Sequence, residues 1–284
     1  MRPGTGLFGI GCLCLSITFG LSATAQAQDK TGIPYRDGDY VAVEAPEGSP
    51  FKELISGYYF RTKETRELQD DDFVNPAFIW VDQAIGLWDQ KEGAAGESCA
   101  SCHGDVEQAM AGVGATFPKW NEAAGKVINL EQQINLCRTE QMKADPWKYE
   151  SDELLGMTAL VRLQSRGMPV QVSIDGPARE TFERGKDFYY ERRGQLDMAC
   201  STCHETNFGS YIRADLLSQG QSNGFPTYRL KWQKLGSLHR RFRGCNSQVR
   251  AERFDYGSPE YVALELYLAW RGMGLPVETP AVRQ

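Results

Sequence analysis

The sequence contains two copies of the pattern Cys-x-x-Cys-His, at residues 99–103 and 200–204. Two thiols three positions apart can bond the two vinyl groups of one porphyrin, and the adjacent imidazole can bind its iron. A thioredoxin-like redox pair and a zinc site also use Cys-x-x-Cys, but two copies in a chain with only three histidines favour haem. The pattern predicts two covalently bound haem c groups, and the residues that would hold them are Cys99, Cys102, His103, Cys200, Cys203 and His204.

The first 27 residues have the features of a secretory signal peptide. Arg2 is the only charged residue before Asp29, and an apolar stretch covers residues 7–21. Ala25 and Ala27 form a small-residue cleavage site, which predicts a mature chain that begins after Ala27. The apolar stretch is interrupted by glycine and shorter than the ~20 residues that cross a bilayer, and no later segment approaches that length. The sequence therefore predicts an exported protein without a membrane span.

The composition is that of a globular protein, with 41% hydrophobic and 24% charged residues. A formal net charge of −6 argues against a protein that binds nucleic acid over its whole surface, because neutralising phosphates needs a basic face. At roughly 100–150 residues per domain, 284 residues predict two domains.

Similar elements surround each motif. Before each motif lies a helix-like stretch in which a small residue stands four positions ahead of an aromatic one, Ala84 with Trp88 and Gly185 with Tyr189. After each motif comes a Gly-rich stretch, predicted to be a loop, that contains one further cysteine. The repetition indicates that the chain contains the same unit twice.

Each unit is predicted to close with a helix. Residues 151–153 and 258–260 read as N-caps followed by acids in the first turn, and Arg-Gly-Met at 166–168 and 271–273 reads as the end of each helix. The order of helix, Cys-x-x-Cys-His, loop and helix resembles the class I cytochrome c fold. We therefore predict a mainly α protein of two tandem class I cytochrome c-like domains. The predicted segments are a signal peptide (1–27), an N-terminal extension (28–75), a first domain (76–174) and a second, catalytic domain (175–284).

Each haem iron needs a second axial ligand. Met168 and Met273 occupy matching positions, but they follow the final helices, where an apolar residue is expected to pack against the helix. His239 has no counterpart in the first half. It is expected either at the surface or next to the iron ligands without binding the iron itself. The remaining candidates are Met110, Met142, Met157, Met198, Cys137 and Cys245.

The two lone cysteines, Cys137 and Cys245, also match by position. They could form a disulfide or remain inert buried thiols, but a disulfide between equivalent positions would have to bridge two haem pockets. Thiolate ligation gives both cysteines the same use, and thiolate is an established haem ligand. We therefore favour Cys137 and Cys245 as axial ligands.

The two halves differ in charge near these cysteines. Residues 216–251 contain no Asp or Glu, whereas the segment around Cys137 carries both signs. A basic run is usually a solvated face, but this one surrounds a cysteine beside a redox centre, and guanidinium groups bind small oxyanions and favour the thiolate. The pattern predicts that Cys137 only ligates iron and that Cys245 performs chemistry on an anion. The basic residues are Arg229, Lys231, Lys234, Arg240, Arg241, Arg243 and Arg250.

The two haem motifs, Cys137 in Asn-Leu-Cys-Arg and Cys245 in Arg-Arg-Phe-Arg-Gly-Cys-Asn-Ser-Gln-Val-Arg together resemble the dihaem form of the SoxA family. SoxA is the larger subunit of the SoxAX cytochrome of bacterial thiosulfate oxidation. The resemblance implies axial pairs His103/Cys137 and His204/Cys245, a persulfide on Cys245, and substrate binding by Arg241. It also implies a monohaem SoxX partner and a carrier protein, SoxYZ.

The resemblance further implies the activity of an L-cysteine S-thiosulfotransferase, in which thiosulfate is joined oxidatively to a cysteine of SoxYZ and the electrons pass to c-type haem. Two other functions fit a dihaem chain. One is an electron-transfer cytochrome without bond chemistry, in which thiosulfate leaves Cys245 unmodified. The other is a dihaem peroxidase, which needs an open iron position that two His/Cys haems would not provide.

Overall fold

The computed structural model describes residues 1, 4 and 40–284. Nearly all of the predicted signal peptide, its cleavage site and the first part of the predicted extension lie outside the described residues. Helices dominate the described part, which agrees with the predicted mainly α class. The α-helices are α1 Lys63–Asp70, α2 Phe78–Asp89, α3 Cys99–His103, α4 Val106–Ala109, α5 Leu130–Cys137, α6 Asp152–Leu163, α7 Arg179–Tyr190, α8 Leu238–Gln248 and α9 Pro259–Arg271.

Within residues 40–284, the strands are short and form four small sheets. Three are antiparallel hairpins. In the fourth, the central strand pairs antiparallel with one neighbour and parallel with the other. The hairpin strands are β1 Ala42–Glu44 with β2 Glu53–Ile55, β3 Lys119–Asn121 with β4 Lys126–Ile128, and β5 Tyr211–Ile212 with β6 Asp215–Leu216. The three-stranded sheet has the order β8 Lys234–Gly236, β7 Thr227–Arg229 and β9 Ala281–Arg283.

Two helix pairs form the framework, α2 packed on α6 and α7 packed on α9. Glycine makes each crossing close. A Cβ on Gly156 would lie 2.6 Å from the Trp80 carbonyl oxygen, and a Cβ on Gly185 would lie 2.0 Å from the Ala263 carbonyl oxygen. The helices predicted before the two motifs are present as α2 and α7. Glycine is needed at position 185 because the backbones of α7 and α9 are in contact there.

The predicted ends of the closing helices are correct in three cases out of four. The hydroxyls of Ser151 and Ser258 accept the capping hydrogen bonds, and α9 ends at Arg271. Helix α6 ends at Leu163, before the predicted Arg-Gly-Met end, because the following segment bonds to another chain segment. Residues 166–170 pair with residues 275–277 through Gly167 N to Val277 O and Val170 N to Leu275 O, both 2.9 Å.

The predicted loops after the motifs contain structure that the sequence analysis missed. Each holds a hairpin and a helix, so that Cys137 and Cys245 stand on α5 and α8 instead of in loops. Asn129 and Gln132 form a capping box at the start of α5, and the Ser237 hydroxyl accepts from Arg240 N at the start of α8. The Asn-x-x-Gln sequence was a signal for the first of these helices.

The two halves share their hydrophobic cores. Val127 of β4 packs in the cluster built on α7 and α9, whereas Tyr228, Leu235 and Val282 pack in the cluster built on α2 and α6. The β3–β4 hairpin also contacts α9, and β8 contacts α6. Each core therefore contains residues from both sides of the predicted domain boundary at 174/175. The boundary itself remains a prediction from the sequence.

A cluster of ionisable groups is buried where the halves meet. Glu131 and His239 are each the second residue of their helices, α5 and α8. His239 is 1% exposed, its Nε2 lies 3.0 Å from Glu265 Oε2, and its ring stacks on Tyr149. A small cavity beside the cluster is lined by Glu131, Glu265 and Arg162. The expectation of a surface position for His239 was therefore wrong, because the residue pairs with a carboxylate on α9.

We expect Glu131→Gln to stabilise the protein at alkaline pH and not at acidic pH. Burial, and then the neighbouring Glu265 carboxylate, raise the pKa of Glu131 to about 7. The unfolded chain ionises at a lower pH than the folded one, so the wild type loses stability as pH rises from about 4.5 to 7. The free energy of unfolding should exceed that of the wild type by up to about 3 kcal/mol at pH 8 and match it at pH 4. Denaturant titrations at both pH values measure the difference, and an equal difference at both would contradict the burial argument.

Among the described residues, no helix is both long enough and apolar enough to cross a membrane.

Candidate haem and cysteine sites

The first motif opens a short helix. The Ser98 hydroxyl accepts from Ser101 N at 3.0 Å, and this cap starts α3 at Cys99. Trp88 Nε1 donates to the Gly104 carbonyl oxygen at 2.9 Å, and the Trp88 ring lies 5.9 Å from the His103 ring. The aromatic residue predicted on α2 therefore holds the end of the motif and packs beside its histidine.

Cys137 lies close to the first motif. Desolvation, and then the proximity of Cys137, raise the pKa of the Cys99 thiol to about 11. Gln133 Nε2 donates to Cys137 Sγ at 3.4 Å. The adjacent Arg138 is buried, donates to Glu92 Oε2 at 2.6 Å and lies 3.7 Å above the Trp147 ring, so its charge is compensated.

The second motif forms a wider turn over residues 202–206. His204 Nδ1 lies 2.9 Å from the Ser218 carbonyl oxygen, which requires Nδ1 to donate and leaves Nε2 with its lone pair. Gly220 (φ +79°) faces the ring, where a Cβ would lie 2.7 Å from the imidazole Cγ. Desolvation, with repulsion from Arg241 and Arg271, lowers the pKa of His204 to about 4. The imidazole is therefore held neutral and oriented, as a metal ligand needs to be.

Cys245 lies close to both thiols of the second motif. Desolvation, and then the proximity of Cys245, raise the pKa of the Cys200 thiol to about 12. The same two causes raise the pKa of Cys203, and the nearby Arg241 opposes them. The structure therefore brings together the four sequence-predicted residues Cys200, Cys203, Arg241 and Cys245.

The two cysteine helices differ at one position that matters chemically. Cys137 and Cys245 are each the eighth residue of their helices, and Gln133 and Arg241 are each the fourth. One turn before its cysteine, α5 has the neutral amide of Gln133, whereas α8 has the guanidinium of Arg241. The Arg241 side chain has no ion pair within the part of the chain that the structure describes, so its charge remains available to an anion.

The sequence analysis missed an ion pair behind the second motif. Arg271 is 1% exposed, and its Nη1 donates to Glu205 Oε1 at 2.6 Å. Its guanidinium lies 4.4 Å above the Tyr189 ring, and Tyr190 Oη donates to the same carboxylate at 2.9 Å. The available signals were the carboxylate directly after the motif histidine and the arginine of Arg-Gly-Met, which the sequence analysis treated only as a helix end.

The predictions for Met168 and Met273 have different outcomes. Met273 packs against the core of α7 and α9 as predicted, but Met168 is 42% exposed, so its predicted core packing was wrong. The segment after α6 turns away to pair with residues 275–277, which leaves this side chain outside. Cys137 and Cys245 are free thiols beside different motifs, and the structure does not contain the disulfide alternative.

The residues at both motifs fit a covalently bound haem c. Each site has two motif thiols, one imidazole and one further thiol. In the second site, the His204 tautomer is also fixed, and the absence of a side chain at Gly220 leaves room for the imidazole. The assignment of the individual residues as attachment points and axial ligands remains a prediction.

Comparison with known proteins gives consistent matches. The SoxA/TsdA cytochrome c domain family matches residues 83–170. The L-cysteine S-thiosulfotransferase subunit SoxA of Rhodovulum sulfidophilum is 53% identical over 233 residues, which are 82% of this chain and 81% of that protein. The corresponding subunit of Paracoccus pantotrophus is 50% identical over 82% of this chain and 80% of its own length. The crystal structure of SoxXA from P. pantotrophus superposes with a TM-score of 0.83 at 48% identity, covering 86% of this chain and 93% of that one.

Proposed function

Because the chain belongs to the SoxA family of L-cysteine S-thiosulfotransferase subunits, we propose that it joins thiosulfate oxidatively to a cysteine of the SoxYZ carrier protein. The family is a cytochrome c family, and its fold carries covalently bound haem c. We propose two haem groups in this chain, one at Cys99 and Cys102 and one at Cys200 and Cys203. Tandem cytochrome c-like domains would carry them, with the second domain catalytic.

The proposed setting is the periplasm, with SoxX as the partner subunit. The signal-like sequence of residues 1–27 supports export. The structural relative from P. pantotrophus is a SoxXA complex, and this supports a corresponding heterodimer for the present chain.

One observation carries the proposal for catalysis, namely the difference between Gln133 and Arg241 one turn before the two cysteines. Both cysteines lie near motif thiols, which supports the axial pairs His103/Cys137 and His204/Cys245. Only Cys245 also has an uncompensated guanidinium beside it. Arg241 therefore supplies the charge that a thiosulfate dianion requires, and Cys245 supplies the sulfur that reacts.

The overall reaction removes two electrons and one proton. The carrier thiol loses its S–H bond, a new sulfur–sulfur bond joins its sulfur to the terminal sulfur of thiosulfate, and one proton and two electrons are released. Arg241 binds the sulfonate oxygens, so that the terminal sulfur points at Cys245 Sγ. Cys245 Sγ, or the outer sulfur of a persulfide on it, first bonds the terminal sulfur of thiosulfate and loses its proton and the two electrons. The carrier thiol then displaces Cys245 from that sulfur and its proton passes to Cys245, so the overall balance is unchanged. When bound, haem c supplies one-electron redox chemistry, and SoxX receives the electrons.

The proposal is tested by the mass of the purified holoprotein with and without thiosulfate, followed by the mass of the peptide that carries Cys245. We expect two haem groups and one or more added sulfur atoms on Cys245. The Arg241→Gln variant, which gives α8 the side chain found in α5, should keep both haem groups and raise the KM for thiosulfate about tenfold or more. An unmodified Cys245 under both conditions would instead indicate an electron carrier without sulfur chemistry.

A further inference from the structure

A small hydrophobic cluster joins the segment before the first motif to residues that follow the second motif. Its members are Ile55, Tyr59, Phe60, Phe208 and Leu216. Arg61 Nη2 adds a polar contact, because it donates to the Leu216 carbonyl oxygen at 2.6 Å. Part of the predicted N-terminal extension therefore packs against the chain that continues from His204.

Gln219 makes the most direct connection to this segment. Its side chain is 2% exposed, and its Oε1 accepts from Ile55 N at 2.8 Å. Its Nε2 donates to the Glu53 carbonyl oxygen at 3.2 Å. A carboxamide offers the same donor and acceptor as a peptide group, so one side chain bonds both ends of β2. The Gln219 side chain is thereby fixed to the N-terminal segment at two points.

The main chain of Gln219 lies between the two residues that contact the His204 ring. The Ser218 carbonyl oxygen lies 2.9 Å from His204 Nδ1, and Gly220 faces the ring. Ser218 and Gly220 are the immediate neighbours of Gln219 in the chain. A displacement of Gln219 would therefore move both contacts of the imidazole at once.

Arg271 of α9 connects the same loop to the second motif. Its Nη2 donates to the Gln219 carbonyl oxygen at 3.4 Å, and its Nη1 donates to Glu205 Oε1 at 2.6 Å. Glu205 directly follows His204. The loop of residues 218–220 is thus fixed through the Gln219 side chain to β2 and through the Gln219 carbonyl group to α9.

We propose that the N-terminal segment positions the His204 imidazole, with Gln219 as the positioning residue between them. The inference rests on the proposed function for the haem group at Cys200 and Cys203, and it adds a residue that sets the reduction potential of that haem. Gln219 holds the Ser218 carbonyl oxygen where it accepts the Nδ1 proton of His204. This hydrogen bond makes the imidazole a more basic ligand, which favours oxidised iron and lowers the reduction potential.

The first test measures the reduction potentials of the holoprotein with its partner subunit, by redox titration followed in optical and electron paramagnetic resonance spectra. Gln219→Met keeps the length of the side chain and removes both hydrogen bonds to β2. The equilibrium constant for reduction of the second haem should rise about tenfold, which corresponds to a potential higher by about 59 mV for one electron. The potential of the first haem should stay unchanged.

Asn75→Leu is the matched control. Asn75 is 3% exposed, lies at the end of the predicted N-terminal extension and also bonds a distant part of the chain, since its Nδ2 donates to the Pro280 carbonyl oxygen at 2.9 Å. The substitution therefore removes a buried amide contact of the same kind, but none that involves residues 218–220. It should lower the melting temperature, as Gln219→Met does, and leave both reduction potentials unchanged.

The second test uses amide hydrogen exchange in the wild-type holoprotein with its partner subunit. Because the Ile55 N–H is bonded to Gln219, peptides that cover residues 53–55 and 216–220 should show similar protection and open as one unit. Strong protection of residues 216–220 with rapid exchange at 53–55 would show that the loop is rigid without the segment.

Three results would overturn the positioning role. The first is an unchanged potential of the second haem in Gln219→Met. The second is an equal shift in Asn75→Leu, which would indicate a general loosening of the protein. The third is independent exchange of the two peptides, and this measurement decides the matter even if Gln219→Met does not fold. The predicted shift in potential together with an absence of thiosulfate conjugation in the wild type would overturn the proposed function alone.

Discussion

Cys245→Ala should lower the rate of thiosulfate conjugation by roughly 10³-fold or more, while Cys137→Ala should keep most of the wild-type rate. Both variants remove a cysteine at the eighth position of a helix, beside the first thiol of a haem motif. Only Cys245 has Arg241 one turn before it. The alanine change at Cys245 therefore removes the reacting sulfur, whereas the change at Cys137 removes a group without a substrate site.

The measurement is steady-state conjugation with the carrier protein, combined with haem quantitation and optical and electron paramagnetic resonance spectra of each variant. Both variants should contain two haem groups, and each should lose the spectroscopic signature of one thiolate ligand. Retention of the wild-type rate by Cys245→Ala would exclude this cysteine as the reacting group. An equal loss of rate in both variants would show that the two cysteines share one function, against the division of roles argued above.

Gly185→Val should unfold the protein or destabilise it by roughly 3 kcal/mol or more, because the two helices have no room for a side chain. The Cβ alone would lie 2.0 Å from the Ala263 carbonyl oxygen, which belongs to the backbone and cannot move aside without separating α7 from α9. Thermal or denaturant unfolding of the holoprotein measures the effect.

Gly86→Ala is the matched control for this prediction. Gly86 also lies inside a helix, α2, but a Cβ there meets nothing within 4 Å. The change should stabilise the protein by about 0.5–1 kcal/mol through the better helix propensity of alanine. Similar effects at Gly185 and Gly86 would contradict the claim that α7 and α9 are in backbone contact at Gly185.

The Cys-x-x-Cys-His motifs, the helices around them and the serine caps of the two closing helices could be predicted from sequence because their signals are local. Ser151 and Ser258 stand directly before the helices they cap, and the thiols of each motif are three residues apart. The position of Cys245 on a helix was missed, because the Gly-rich composition around it masked a helix that begins at a single serine cap. Local patterns were sufficient wherever the interacting residues are neighbours in the chain.

Long-range partners were not predictable in the same way. Arg61 donates to Leu216, 155 residues away, and His239 on α8 pairs with Glu265 on α9. Nothing in the vicinity of Arg61 in the sequence marks Leu216 as its partner, and a histidine without a counterpart in the repeat gives no sign of its burial. Such contacts depend on how distant segments of the chain pack together, which the spacing of motifs does not encode.

The shared cores also make the first half dependent on the second. The core built on α2 and α6 includes Tyr228, Leu235 and Val282, so it cannot be completed until residues far beyond its own helices have emerged. The first motif, at residues 99–103, is therefore packed beside a core to which residues of the second half contribute. A truncation before residue 228 would leave the first half with an exposed apolar surface, so we expect the first half to need the second for its stability.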